Sequence, residues 1–134
     1  MLFRSARGGA FCGFSLYVKD GRAGFGIRRL EGTAAITADS GEALGDAWVH
    51  LAGVVHEDTI ELFVDGRLAA RKATDGFIPS DCGQGMQIGG DISTSPVDFT
   101  EPFHGAIDEV KVFHAALDAD RIVYQSRRHG VVSP

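Results

Sequence analysis

Two segments without a clear strand or helix pattern contain aromatic and acidic residues together. Residues 73–85 include Phe77, and residues 91–102 include Asp91 and Phe99. Sugar stacking requires exposed aromatic rings beside polar groups, because the ring covers the sugar's apolar face while carboxylates bind its hydroxyls. We therefore predict a ligand site at Phe77, Asp91 and Phe99. The favoured alternative for the two rings is that both turn inward and pack against the core.

The sequence offers few candidates for catalytic residues. Glycoside hydrolysis needs two carboxylates on opposite sides of a bond, about 5 to 9.5 Å apart. Glu57, Asp58 and Glu61 are the nearest candidates, but they straddle a predicted turn. The chain has no Gly-x-Ser-x-Gly motif, and its five His are scattered. We predict no catalytic residues, with a glycoside hydrolase as the less favoured alternative.

Length and charge limit the class of protein. The chain has 134 residues, which is the size of one domain with a buried core. Its net charge of -5 argues against nucleic acid, whose partners normally present a basic surface. No apolar run reaches the roughly 18 residues that span a bilayer, and the N-terminus lacks the apolar stretch of a signal peptide. We predict a single domain over residues 1–134, frayed after about residue 127, with no membrane insertion.

Short alternating segments separated by turn residues predict an all-β fold. Asp20-Gly21 and Asp65-Gly66 are two-residue hairpin signals, each between alternating segments. Asp118 is placed to cap a short amphipathic helix that ends at about Ser126. The predicted strands are Phe14 to Lys19, Arg22 to Arg28, Ala34 to Ala38, Trp48 to His56, Thr59 to Val64, Arg67 to Lys72, Met86 to Gly89 and Gly105 to His114.

Several large side chains are expected in the core. Trp48 is predicted to fill the space between two sheets, with Phe103, Ile107 and Phe113 also inside. The alternative for Trp48 is sugar stacking, which would more naturally use an aromatic ring on a loop or an exposed face. Two cysteines, Cys12 and Cys82, could close a long loop in an oxidising compartment. The favoured alternative is that both remain thiols.

Five sequence blocks together resemble a known family. The blocks are Trp48 to Val54, Glu61 to Gly66, Ile88-Gly89, Phe103 to Val110, and finally Leu117 with Ile122. In this order, and over about Leu2 to Ile122, they resemble the laminin-G-like domains of the concanavalin A-like lectin/glucanase superfamily. The resemblance implies a jelly-roll sandwich of two antiparallel β-sheets, here with one short C-terminal helix.

The same resemblance implies a function and a metal. The resemblance implies a non-catalytic module that binds carbohydrate or adheres, using loops 73–85 and 91–102. Such domains are usually extracellular or at the cell surface, but this sequence carries no signal for its own location. In related sandwich proteins the Asp of the Gly-x-Ile-Asp-x-Val strand often binds calcium, which implies calcium at Asp108. The alternative is that Asp108 hydrogen-bonds backbone amides. The superfamily's glucanases carry Glu-x-Asp-x-x-Glu on one strand, and this chain does not match that spacing.

One departure from the family concerns the sheet edges. Members usually carry further strands before the one that residues 2–5 resemble, including a strand beside the C-terminal strand. We therefore expect an open edge that pairs with another copy, which gives a homodimer or higher oligomer. This supports the alternative function of a protein-interaction or structural module that oligomerises through that edge. The expected partner is thus a carbohydrate or a protein.

Overall fold

The computed structural model describes residues 3–4, 13–29, 34–76, 86–92, 99–100 and 102–128. These ranges hold short strands and one C-terminal helix. The strands are β1 Phe3–Arg4, β2 Gly13–Lys19, β3 Arg22–Arg28, β4 Ile36–Ala43, β5 Leu51–Val55, β6 Thr59–Val64, β7 Arg67–Ala73, β8 Gln87–Ile88, β9 Asp91–Ile92 and β10 Phe99–Thr100, and the helix is α1 Ala119–Arg128.

The strands form two main antiparallel sheets. One has the order β4-β3-β2-β1-β8, the second has the order β5-β6-β7, and β9 pairs with β10 beside them. The sheets face each other, because β3 contacts β6 and β4 contacts both β6 and β7. The prediction of an all-β, two-sheet antiparallel sandwich with a short C-terminal helix is confirmed.

The core lies between the two sheets and is built by alternate residues of the central strands. Phe25 and Ile27 of β3 pack with Ile60 and Leu62 of β6, and Leu16 of β2 joins them. Burial of each such side chain stabilises the fold by about 1.5 to 3 kcal/mol. The intervening residues of β2, β3 and β4 therefore face away from the three-stranded sheet.

A second apolar cluster fixes the helix to the outer side of the three-stranded sheet. It joins Val54 of β5, Phe63 of β6 and Ile122 of α1. The helix begins as predicted, since Arg121 N donates to Oδ1 of Asp118 at 2.9 Å. With ten residues, α1 is short, and no helix among the described residues is long and apolar enough to cross a membrane.

The helix lies close to the β6–β7 turn. Asp65 and Gly66 have φ of 50° and 78°, as a two-residue hairpin turn between right-twisted strands requires. A methyl group on Gly66 would lie 2.8 Å from Oγ of Ser126 and 3.2 Å from Cα of Val123. Glycine is therefore needed at this turn both for its backbone conformation and for helix packing.

Trp48 does not fill the space between the sheets. Its side chain is 61% exposed, and the strand that it was expected to open begins at Leu51. Leu51 takes the interior position at this end of β5, where it packs against the first core cluster. Residues 44–50 instead form the connection between the two sheets, so the core prediction for Trp48 is wrong.

The predicted strand from Gly105 to His114 is also absent from the described structure, although this segment holds the family's most recognisable block. Glu109 has a φ of 52°, a left-handed conformation that interrupts an extended strand at its centre. Val110 still packs against the core, but Phe113 is 49% exposed, which contradicts its core prediction. Phe103 and Ile107 are half-buried. Cys12 and Cys82 lie outside the described residues.

Candidate functional site

The predicted loop site can be located only in part. Phe77 lies outside the described residues. The backbones of Asp91 and Phe99 belong to the β9–β10 pair, in which Asp91 pairs with Thr100 and Phe99 pairs with Ile92. The two predicted ligand residues thus occupy successive register positions of one ribbon. This ribbon adjoins the edge of the five-stranded sheet, because β9 contacts β8. The three residues stay predictions.

Asp108, the predicted calcium ligand, is exposed. Its Oδ1 accepts a hydrogen bond of 2.8 Å from the backbone N–H of Glu109, which stabilises the left-handed residue beside it. The Glu109 carboxylate in turn lies 3.2 Å from Nζ of Lys111. In the part of the chain that the structure describes, no group of three or more His, Cys, Asp or Glu side chains could hold a metal. Calcium at Asp108 stays a prediction.

A polar surface that sequence reasoning missed lies on the outer side of the five-stranded sheet. In β3, the side chains of Ala23, Phe25 and Ile27 point into the core. Gly24 and Gly26 alternate with them and therefore face outward. A methyl group on Gly24 would overlap the ring of Tyr17, and one on Gly26 would lie 3.1 Å from Cγ2 of Thr37. These glycines allow side chains of the neighbouring strands to lie across β3.

Tyr17 lies across β3 and is held there by a hydrogen bond. Its ring lies over Gly24, and its hydroxyl donates a hydrogen bond to Oδ1 of Asp39. The register aligns Tyr17, Gly24 and Asp39 in one row across β2, β3 and β4, and aligns Ser15, Gly26 and Thr37 in the next row. We call the surface formed by these residues the tyrosine face; its members are Ser15, Tyr17, Gly24, Gly26, Thr37 and Asp39.

The sequence does carry a signal for this surface. In the strand Arg-Ala-Gly-Phe-Gly-Ile-Arg, glycine occupies both positions that alternate with apolar core residues. Glycine weakens a strand interior and often marks a place where a ligand or another chain segment approaches closely. What the sequence does not reveal is the partner, because Tyr17 and Asp39 are 22 positions apart and meet only through the pairing of three strands.

A charged cluster lies on the outer side of the three-stranded sheet. Glu61 of β6 is buried, and its Oε1 accepts from Nε of Arg71 on β7 at 2.7 Å. Its Oε2 lies 3.0 Å from Nε2 of His56, which donates because an ionised carboxylate can only accept. Burial acts to raise the pKa of Glu61, but the hydrogen bonds from His56 and Arg71 and their charges outweigh it, so this pKa lies below its ordinary value.

This electrostatic state limits what Glu61 can do. The general acid of a glycosidase needs a raised pKa so that it carries a proton near neutral pH. The pKa of Glu61 is lowered and both of its carboxylate oxygens accept hydrogen bonds, which suits a structural ion pair instead. Glu57 and Asp58, the other two carboxylates considered for hydrolysis, are exposed in the turn between β5 and β6.

Comparison with known proteins places the chain in a family. A crystal structure of an S-layer domain-containing protein from Clostridium thermocellum is similar, with 25% identity and a TM-score of 0.50. The match covers 84% of this chain and 55% of that chain, so this chain spans about half the length of its solved neighbour. No curated protein has a significant match. A laminin G family model, described as the concanavalin A-like lectin/glucanases superfamily, matches residues 1–123. The chain therefore belongs to the laminin-G-like domains of the concanavalin A-like lectin/glucanase superfamily.

Proposed function

We propose that this chain is a non-catalytic module that binds carbohydrate, in an adhesive or anchoring role. The observation that carries the proposal is the tyrosine face, where an aromatic ring is fixed on a glycine floor among hydroxyl and carboxylate groups. Membership of a superfamily that contains lectins is consistent with it.

The chemistry of the tyrosine face fits a sugar. A pyranose offers an apolar C–H face to an aromatic ring and hydroxyls to polar groups around it. Because Asp39 already holds the Tyr17 ring, little side-chain entropy is lost when a ligand binds. Ser15 and Thr37 supply hydroxyls that both donate and accept in the adjacent row.

The dimensions of the sheet favour an oligosaccharide over a single sugar. Five strands lie side by side from β4 to β8, which spans about 19 Å at the usual strand spacing. The β9–β10 ribbon continues from β8, so the predicted residues Asp91 and Phe99 adjoin the same sheet. We propose that loops 73–85 and 91–102, with Phe77, also contact the ligand.

The proposal is tested by removing the ring of Tyr17. We expect the chain to be retarded in affinity gels that contain xylan, β-glucan, mannan or pectin, and Tyr17→Ala to weaken the binding at least about ten-fold, which corresponds to about 1.4 kcal/mol. Tyr17→Phe should give an intermediate loss because it keeps the ring and removes the hydroxyl that donates to Asp39. Tyr124→Ala is the matched control, since it removes the chain's other tyrosine from α1.

The outcomes separate the two parts of the site. Loss of binding in Phe77→Ala or Phe99→Ala, with none in Tyr17→Ala, would move the site from the sheet to the loops. If no polysaccharide retards the unmodified protein, the proposed function is wrong.

The second candidate function is a protein-interaction or structural module, and the edge strand β5 favours it. Among the described strands, β5 pairs with β6 alone, and its central residue Gly53 is exposed. A strand with unpaired backbone groups is a template for pairing with another chain. We expect self-association into a homodimer or higher oligomer, measured as a rise in mass across a concentration series in sedimentation velocity. A constant monomer mass would contradict it.

A further inference from the structure

The exposure of Trp48 is unusual because the indole is the largest apolar side chain that a protein can bury. Trp48 is the chain's single tryptophan, and it is 61% exposed. Burial of such a large apolar surface normally stabilises a fold. The interior position at this end of β5 belongs to Leu51, so the fold itself does not use the indole in its core.

The segment that presents Trp48 is anchored at both ends. At its start, Leu44 N donates to the carbonyl oxygen of Gly21 at 2.7 Å. At its end, His50 N donates to Oδ1 of Asp65 at 2.9 Å, and Asp65 N donates to the carbonyl oxygen of His50 at 2.8 Å. Trp48 thus lies two residues from the pair of hydrogen bonds that join His50 and Asp65, in a short connection. Because this segment is already fixed, little conformational entropy would be lost when a ligand binds.

The surroundings of the indole narrow the class of ligand. Residues 45–47 are Gly, Asp and Ala, all of them exposed, and residues 44–50 contain no Lys or Arg. The carboxylate of Asp46 repels phosphate groups, and the net charge of -5 also argues against anionic lipid and nucleic acid, although Lys19 and Arg22 flank the turn to which Leu44 is bonded. The same combination suits a neutral polyhydroxylated ring, because Asp46 can accept from hydroxyls while the indole covers the C–H face.

We infer that Trp48 is a second sugar-stacking position that takes a pyranose ring of the same polysaccharide that the tyrosine face binds. The inference rests on the proposed function. Its geometric basis is that both positions lie towards the same end of the sandwich. Leu44 is bonded to the Asp20-Gly21 turn, and Tyr17 pairs with Gly24 close to that turn. When two positions on the protein bind the same polysaccharide molecule, binding at one raises the effective concentration of sugar at the other, and the overall affinity increases.

The test uses the intact chain and the polysaccharide that retards it most among xylan, β-glucan, mannan and pectin. Because Trp48 is the single tryptophan, its fluorescence reports on this position alone. We expect emission typical of a water-exposed indole and strong acrylamide quenching, with quenching reduced several-fold by the polysaccharide. Trp48→Ala should weaken retardation about ten-fold and Trp48→Phe less, since a smaller ring remains. Tyr124→Ala, which removes a 59% exposed aromatic side chain elsewhere, should change neither measurement.

Each other outcome overturns a defined statement. If Tyr17→Ala abolishes retardation while Trp48→Ala and the quenching are unchanged, the inference on Trp48 is wrong and the proposed function stands. If acrylamide quenching falls with protein concentration before any polysaccharide is added, a second copy covers Trp48 and the inference is wrong. If no polysaccharide binds, both statements fall. Circular dichroism of each variant verifies that it is folded.

Discussion

Replacing Gly53 with Ala is expected to lower the free energy of unfolding by about 1 to 3 kcal/mol, the usual cost of overpacking a core. Gly53 lies opposite Leu62 in the β5–β6 ladder, and its missing side chain would point into the sandwich. A methyl group there would overlap the ring of Phe25, which is 3% exposed. Urea unfolding followed by circular dichroism measures the difference.

Two further variants make the Gly53 experiment specific. Adding Phe25→Leu to Gly53→Ala should make the combined loss smaller than the sum of the two single losses, because the smaller side chain leaves room for the methyl group. Gly41→Ala is the matched control: it lies in β4 with nothing within 4 Å of the added carbon, and it should be neutral or slightly stabilising. Equal stability of the Gly53 and Gly41 variants would show that the Phe25 ring does not lie against β5.

Acid is expected to destabilise the fold through Glu61. Its pKa in the folded chain is below its ordinary value of 4.5, so near and below that pH the unfolded chain binds more protons. The stabilisation is therefore complete above pH 4.5 and is lost as the pH falls through the lower, folded pKa. Urea unfolding measured at several pH values should show this loss as the pH falls below about 4.5.

Glu61→Gln isolates this contribution. The variant keeps the size of the side chain but loses the charge that Arg71 and His56 face, and we expect it to cost about 1.5 to 3 kcal/mol at pH 7, the range for hydrogen bonds with charged groups. Its unfolding free energy should also depend less on pH below 5. Glu57→Gln, which changes an exposed carboxylate in the adjacent turn, should leave the profile as it was. An unchanged acid limb in the Glu61 variant would show that another group is responsible.

Local signals in the sequence predicted much of the fold because they depend on neighbouring residues. Asp20-Gly21 and Asp65-Gly66 are turns with positive φ, as their residue types require. The strand Thr59–Val64 has the predicted bounds, and Asp118 caps the helix that was expected after it. In each case the information lies within a few residues of the element concerned.

The failures arose where distant parts of the chain decide the outcome. An apolar Trp48 next to a strand indicates burial, but the interior place was taken by Leu51, three residues later. The alternation around Val110 indicates a strand, but no local sequence signal predicts the left-handed backbone conformation of Glu109. The tyrosine face depends on the registers of three strands, including a shift between Arg22 and Gly24, and a single sequence does not encode such a register visibly.

The contact between α1 and the Asp65-Gly66 turn has a consequence for the order of folding. Strands β5, β6 and β7 are neighbours along the chain, so their turns can close within microseconds. The helix packs on Phe63 only by closing a loop of about sixty residues, which is slower because its ends must first meet. During synthesis strands β5, β6 and β7 thus leave the ribosome well before α1, which packs on them. Until α1 emerges, Val54 and Phe63 form a solvent-exposed apolar surface of the kind that chaperones bind.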